Sequence, residues 1–376
     1  MKEYITNFDR DAIDHWDNYQ AVREFVQNYL DSTEDRYFEI GVDHVTFCNK
    51  GVKVSNGMLK TGKSDKRGDV TKRGQYGTGS IFAMCVLSAR GVTVEIHNDD
   101  VLWIPKFKPS SVFEGDEVLV IEECFTEPSG NFTVTISGLS EEDINNIKQT
   151  NLMFQEDREV IASSPYGDVI ANVDSFGEVY CGSIFVMQTK GFSYSYNIKP
   201  EYLKLNQDRE SCSEWDLQNV TAKLITSTGN ETFIEEAVKL NTLDTQHIKY
   251  YCSVPDVVQD TLATEFITNN KGKVITSDYS DHQHNEKVGT PSIYESNTTL
   301  VNAIQESSVY IDAVANIELV EKQTIDEFVE ELKESIMQIV HSNMDAENGA
   351  KIEELLDCLT EESNNWSGDV EEGLPF

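Results

Sequence analysis

Residues 11–31, DAIDHWDNYQAVREFVQNYLD, and residues 74–80, GQYGTGS, decide how this chain reads. In the first stretch Val22, Phe25, Val26, Tyr29 and Leu30 fall within one arc at about 100° per residue, which predicts a helix that buries that arc. Glu24, Asn28 and Asp31 recur at i, i+4 and i+7, within about 60° of one another and opposite the apolar residues. Taken alone, such a carboxylate and amide face reads as a solvated one. The second stretch stands at the head of the small, apolar run SIFAMCVLSA (80–89), which predicts another helix. Glycines spaced as Gly74, Gly77 and Gly79 let backbone N–H groups close on phosphate oxygens, and the following helix offers its positive end.

Working outward, VDHVTFC (42–48) predicts a short strand, followed by a polar, glycine-bearing stretch from Asn49 to Gly79. Strands are predicted at GVTVEIHN (91–98), VLWIPKF (101–107) and FTVTI (132–136). A helix then opens at Ser140, with Asp143 at the capping-box spacing in place of the usual Glu or Gln. These elements predict an α+β fold whose N-terminal part, residues 1–152, is an α/β sandwich. A second α/β domain is expected over 153–250, from strands at DVIANVD (168–174), EVYCGSIFVMQ (178–188) and FSYSYNI (192–198). Over 251–361 the pattern predicts a helix at PDVVQDTLATEFI (255–267), a strand at KVITS (273–277), a polar loop, and helices at 298–306 and 323–342. The tail, 362–376, has the composition of a disordered segment. No internal repeat is visible.

Composition bounds the function classes. With 376 residues, 39% hydrophobic, 10% aromatic and only 8 prolines, the chain reads as folded and as two or three domains. No apolar run approaches the roughly 20 residues that cross a bilayer, and MKEYITNFDRDAIDHW has no apolar signal core, so a cytoplasmic location is expected. The seven cysteines are scattered, odd in number and never in CxxC spacing, which argues against a disulfide framework and a zinc site. They read as small buried hydrophobes. A net charge of −36 opposes unspecific attraction to nucleic acid or anionic lipid and favours a basic partner. The charge is uneven: residues 321–376 hold 16 acidic side chains against Lys322, Lys333 and Lys351.

Two nucleotide-binding alternatives fail on context. A dinucleotide fingerprint needs GxGxxG directly after a strand, whereas here the glycines end a long polar loop. A P-loop needs GxxxxGK[ST], which does not occur. Glu24-x-x-x-Asn28-x-x-Asp31 on a helix, a strand running from Val45 to a turn glycine at Gly51, and Gly74-x-x-Gly77-x-Gly79 before another helix instead resemble the GHKL, or Bergerat-fold, ATPases. The runs TGKSDKRGDVTKRGQYGTGS (61–80) and FSYSYNIKPEYLKLNQDR (192–209) resemble the phage rapid-lysis A-type proteins of that superfamily.

The resemblance implies ATP and Mg2+ as ligands, Glu24 as the general base, and Asn28 as the magnesium ligand, with Asp31 supporting. It implies a phosphate lid from Gly74, Gln75, Tyr76, Gly77, Thr78 and Gly79, with Ser64 and Lys66 matching the lid's Ser-x-Lys. At the adenine end Asn49 stands in place of the family's aspartate, followed by Gly51, and Lys53 replaces a second glycine. An asparagine oxygen still accepts a bond from an adenine amino group, but without charge. For the family's strand threonine, Thr133 is the candidate, although alternation puts Phe132 on the better face. Gln188-Thr189-Lys190 spells the phosphate-sensing triplet of gyrase-type transducer domains and equally a hairpin with an ordinary exposed lysine. Asp208-Arg209 matches the phage-type pattern as an ion pair or a phosphate sensor, and Asp281-His282-Gln283-His284 reads as a solvated loop.

The expected function is therefore that of an Mg-dependent, slowly hydrolysing ATP-binding protein in which lid closure switches contacts. The resemblance implies homodimerisation and action on a host protein, for example in countering a defence system. The reading kept beside it is a non-catalytic acidic interaction protein on the same scaffold, a DNA mimic that occupies a host DNA-binding protein. Direct nucleic-acid binding is not expected at this charge.

Overall fold

Asp17 decides where the first helix begins. Its carboxylate accepts the backbone N–H of Gln20 at 2.7 Å, while the Gln20 side chain accepts the N–H of Asp17 at 3.0 Å. This reciprocal capping box starts α1 (Asn18–Ser32) seven residues after the first residue of the helical pattern, because residues 10–13 are held in a separate turn. The computed structural model describes residues 2–13, 15–33, 35–59, 78–110, 115–173, 176–206, 211–287, 289–315, 332–340, 348, 351–352 and 355–356. They fall in two compact units, Met1–Val258 and Gln259–Phe376.

The first unit is built on an antiparallel sheet of β1 (Lys2–Ile5), β2 (Arg36–Ile40), β3 (His44–Lys50), β4 (Thr93–Asn98), β5 (Val101–Pro109), β6 (Glu117–Phe125) and β7 (Asn131–Ser137), in the order β1-β6-β5-β4-β7-β3-β2. Along β7 the alternation is strict: Phe132, Val134 and Ile136 are buried and the residues between them are not. That face, with Val45 and Phe47 of β3 and Val94 and Ile96 of β4, packs against α1 and against α2 (Gly79–Ala89). β6 was not legible in the sequence because Val118 to Glu123 are all buried, which erases the period-two pattern. Glu123 is held there by Trp103 Nε1 at 2.9 Å and the Tyr4 hydroxyl at 2.8 Å.

α3 (Glu141–Thr150) starts as predicted: Ser140 Oγ accepts the N–H of Asp143 at 3.1 Å, and the Asp143 carboxylate accepts the N–H of Ser140 at 3.0 Å. Asn18 donates to the same carboxylate at 3.0 Å, tying the head of α1 to the head of α3. With α2, α3 and β3 around it, α1 has no broad solvated face. Arg23, Gln27 and Asp31 are at most 4% exposed, and Glu24 and Asn28 are half-buried, which corrects the solvated-face expectation for Asp31.

A second sheet, β11-β10-β12-β9-β8, follows in the same unit: β8 (Val160–Ser164), β9 (Gly167–Ile170), β10 (Phe176–Cys181), β11 (Ile184–Lys190) and β12 (Ser195–Ile198). β10 and β12 are parallel and the other neighbours antiparallel. The helices α4 (Glu214–Thr226), α5 (Glu231–Leu240) and α6 (Ile248–Tyr251) complete this part. Asn151, the C-cap of α3, bridges to Ile184, and the N–H of Leu152 bonds the carbonyl of Ser183 at 3.0 Å. Phe154 packs edge-on against Phe38 of β2 at 4.8 Å. Asp244, 1% exposed, accepts four donors: the N–H groups of Ser193 and Tyr194, the Thr242 hydroxyl at 2.7 Å and the Tyr196 hydroxyl at 2.8 Å. Burial, then the Asp244 charge, pushes the Tyr196 phenol well above its ordinary range.

The second unit starts within α7 (Asp256–Asn269) and continues through β13 (Val274–Thr276), α8 (Tyr279–Lys287), β14 (Ser292–Tyr294), α9 (Thr298–Glu306) and α10 (Ser308–Ala315). β13 and β14 are parallel. Side chains satisfy the other edge of β13: the N–H of Ile275 donates to the Tyr310 hydroxyl at 3.0 Å, and its carbonyl accepts from Gln305 Nε2 at 2.9 Å. Asp281 to His284 lie in α8 and not in the predicted loop. That helix has no apolar period to betray it, yet Asp278 Oδ1 accepts the N–H of Ser280 at 2.7 Å at its start and His282 Nδ1 lies 2.7 Å from Ser292 Oγ. Residues 332–340 are helical; the rest of the predicted 323–342 helix and the 362–376 tail lie outside the described residues.

Among the described residues no helix is long and apolar enough to cross a membrane. Cys48, Cys85 and Cys181 are buried, and Cys124, Cys212 and Cys252 are half-buried. Loss of the Asp244 carboxylate strands several buried donors at once, so Asp244→Ala is expected to lower the unfolding free energy by about 3 kcal/mol in a urea titration. A loss below about 0.5 kcal/mol overturns its role as the tie between the 191–196 turn and the 241–247 loop.

Candidate functional site

The junction of α1 and α2 is set by position 79. A Cβ built on Gly79 would collide with Glu24 Oε2 and stand 2.7 Å from Glu24 Cδ, so the absence of a side chain there admits the carboxylate to the first turn of α2. A carboxylate at a helix N-terminus lies where the backbone N–H dipoles favour negative charge. Thr78 precedes the helix and makes no side-chain cap bond. One turn along α1, the Asn28 amide nitrogen donates to the Glu24 carbonyl at 2.9 Å and to Ser80 Oγ at 3.0 Å. Thus Glu24, Asn28, Gly79 and Ser80 come together, while Asp31 is buried further along the same helix. Ser80 was not singled out in the sequence, where a serine at a helix start reads only as a local cap.

The base end is organised differently from the expectation. The last carbonyls of an α-helix have no partner within it. Here Asn49 Nδ2 donates to the Tyr29 carbonyl at 3.0 Å, and Arg36 Nη1 donates to the carbonyls of Leu30 at 3.0 Å and Thr33 at 2.9 Å. Arg36 on β2 and Asn49 on β3 are directly opposed in the sheet, so one cross-strand pair closes the C-terminus of α1. Asn49 is 2% exposed. Its donor side is committed, and an aspartate there would face a main-chain carbonyl with an acceptor. This gives a structural reason for asparagine at 49. Tyr29 itself packs on Phe47 at 5.4 Å, and burial raises its hydroxyl above the ordinary range.

Beyond β3 the chain turns at Gly51, whose φ of +68° only glycine adopts without strain. The side chain of Asn98, 1% exposed, then takes both backbone groups of Val54, accepting its N–H and donating to its carbonyl, each at 2.9 Å. Lys53 bonds Asp99 at 3.0 Å and Asp100 at 2.7 Å. The Lys53 hydrogen bond, then the N–H of Gly130, holds the Asp99 carboxyl below its ordinary range. The 51–54 segment is therefore tied to the β4–β5 turn. Thr133 bonds Cys48 Sγ at 3.2 Å on the sheet face away from the helices, whereas Phe132 lies opposite Asn49 on the helix face, as strand alternation predicts.

Lys190 ends the edge strand β11 in the second sheet and is exposed. Ser64, Lys66, Gly74, Gln75, Tyr76, Gly77 and Arg209 lie outside the described residues. Asn98 carries no sequence signal, because it acts on a backbone group remote in the chain; Arg36 acts on carbonyls three and six residues back, where no motif marks it. No group of His, Cys, Asp and Glu among the described residues could hold a metal by itself. The chemistry of Asn28 nevertheless suits a hard cation: with its N–H groups donated, the carbonyl oxygen is the acceptor end of the amide.

Asn49→Asp, which restores the residue type of the resembled family, is expected to destabilise the fold by about 3 kcal/mol at neutral pH, since it removes a donor and places charge at a helix C-terminus. Burial beside a carbonyl raises the pKa of the introduced carboxyl, so the penalty applies above its unfolded value near 4 and fades below it. Urea titrations at pH 7 and at pH 4 check both statements.

Residues 142–231 match the family model described as the N-terminal domain of Mycoplasma pneumoniae MPN635. No curated protein matches the chain. Among solved structures, the chain is similar to the ATPase and transducer domains of DNA topoisomerase II from Balamuthia mandrillaris, at 11% sequence identity and a TM-score of 0.29. That likeness covers 45% of this chain and 60% of the topoisomerase chain, so it spans less than two thirds of that relative. At this TM-score the likeness carries no functional argument.

Proposed function

We propose that this chain binds ATP with magnesium at the α1–α2 junction and hydrolyses it slowly, in the manner of GHKL proteins. The observation that carries the reading is the approach of Glu24 to Gly79 at the start of α2, with Asn28 bonded to Ser80 beside it. Glu24 holds a water against the terminal phosphate and takes its proton. The Asn28 amide, whose nitrogen bonds the Glu24 carbonyl and Ser80, would supply its oxygen as a ligand to the cation. Magnesium, when bound, neutralises phosphate charge. The N–H groups that open α2 receive the phosphate end, continuous in sequence with the proposed lid of Gly74 to Gly79. Lid closure over ATP would switch contacts with a second copy or with a host protein, the step for which the resemblance to phage proteins is the support.

One observation favours a second reading. Asn49 and Lys53, which stand at the base end, are both engaged in bonds to the protein itself. An acidic interaction protein that keeps the scaffold without turnover, and mimics DNA toward a host DNA-binding protein, suits that arrangement.

Isothermal titration and phosphate release with Mg-ATP separate the two. Glu24→Ala is expected to keep binding within about threefold and to lose turnover by about 100-fold or more. Asn28→Ala is expected to weaken binding by about tenfold or more, and EDTA to do the same to wild type. Wild-type protein that neither binds nor turns over millimolar ATP sinks the first reading and leaves the second.

A further inference from the structure

The first unit exposes an aromatic corner far from α1 in sequence. Trp215, in the first turn of α4, is 68% exposed, an unusual state for the largest apolar side chain. Its ring lies 5.5 Å from that of the half-buried Tyr251 on α6, with the planes at 84°, so the two rings meet edge to face and form a corner. A chain of hydrogen bonds links the corner to a carboxylate. The Tyr251 hydroxyl donates to Gln218 Oε1 at 3.5 Å, and Gln218 Nε2 donates to Glu214 Oε1 at 3.2 Å, one turn back on α4. Asp216 adds a second negative charge in the same turn. The neighbouring Tyr250, 69% exposed, already carries a cation, since Lys249 Nζ sits 4.7 Å from its ring centre. Among the described residues no cation–ring contact involves Trp215 or Tyr251.

We infer that the Trp215–Tyr251 corner, with Glu214 at its rim, is a docking site for an arginine-bearing basic segment of a partner protein. A guanidinium stacks flat on an indole or phenol face while its fork bonds a carboxylate, and this combination of rings and acid matches it better than it matches a lysine ammonium. Charge complementarity selects the occupant: the chain carries a net charge of −36, which draws in a cationic partner. The site is independent of the nucleotide reading, because none of its residues belongs to the α1–α2 junction.

Fluorescence anisotropy of labelled oligoarginine and oligolysine peptides of equal length, titrated with the full chain at physiological salt, tests this. Bulk charge binds both alike, so the ratio of the two affinities is the readout. Wild type is expected to prefer arginine by about fivefold or more, Trp215→Ala and Glu214→Gln to bring the ratio to about one, and Glu231→Gln on α5 to leave it unchanged. Thermal melting of each variant checks that the fold is kept; Trp215→Phe, which retains a ring, is expected to keep part of the preference if the alanine variant does not fold. An arginine preference that survives Trp215→Ala, equal affinities in wild type, or no binding of either peptide overturns the assignment. So does sedimentation showing a wild-type dimer that Trp215→Ala dissociates, since the corner would then be covered by a second copy.

Discussion

The close approach of α1 to α2 depends on a position with no side chain. Glu24 reaches the first turn of α2 because Gly79 leaves the space, and Asn28 can bond Ser80 only because the helices are that near. The first sheet and α3 frame that contact. The sheet supplies the apolar floor of Phe47, Val134, Ile136 and Ile96, and α3 closes the far side of α1. Half-buried acid and amide groups are tolerated there because each has partners or lies near solvent, whereas the fully buried Asp31 lies beyond the junction.

The opposite end of α1 imposes a different constraint. A buried helix terminus must have its carbonyls satisfied, and β2 and β3 meet that need with one opposed pair, Arg36 and Asn49. The requirement is for donors, so it excludes a carboxylate at 49 irrespective of any ligand. Lys53 and Asn98 then fasten the 51–54 segment to the neighbouring turn. The two ends of α1 are thereby under separate control. The first follows the helix junction and the second follows how α1 terminates.

The same logic recurs in the second sheet, where Asp244 draws together the turn after Lys190 and the loop before α6 through neutral donors. Four donors converging on one carboxylate tie the two segments together. On the surface of that part, the acidic excess of the chain takes a definite form at Glu214 and Asp216 beside the exposed Trp215 ring and the half-buried Tyr251 ring. A diffuse charge becomes a shaped feature only where helices set side chains at fixed spacing.

Periodicity and capping are local properties, and they were legible in the residues themselves. The apolar arc of α1, the strict alternation of β7 and the Ser140–Asp143 capping box each depend on neighbours within a few positions, so the residues alone specify them. They also placed Phe132 and not Thr133 on the helix face, and they set Glu24 and Asn28 one turn apart. β6, buried on both faces, and α8, with no apolar stripe, left no such trace. Which backbone groups Asn49 and Asn98 serve, and the approach of Gly79 to Glu24, follow from the assembled fold. The physical reason is that a polar side chain is assigned its role by the unpaired group nearest to it in space, and that neighbour is remote in the chain.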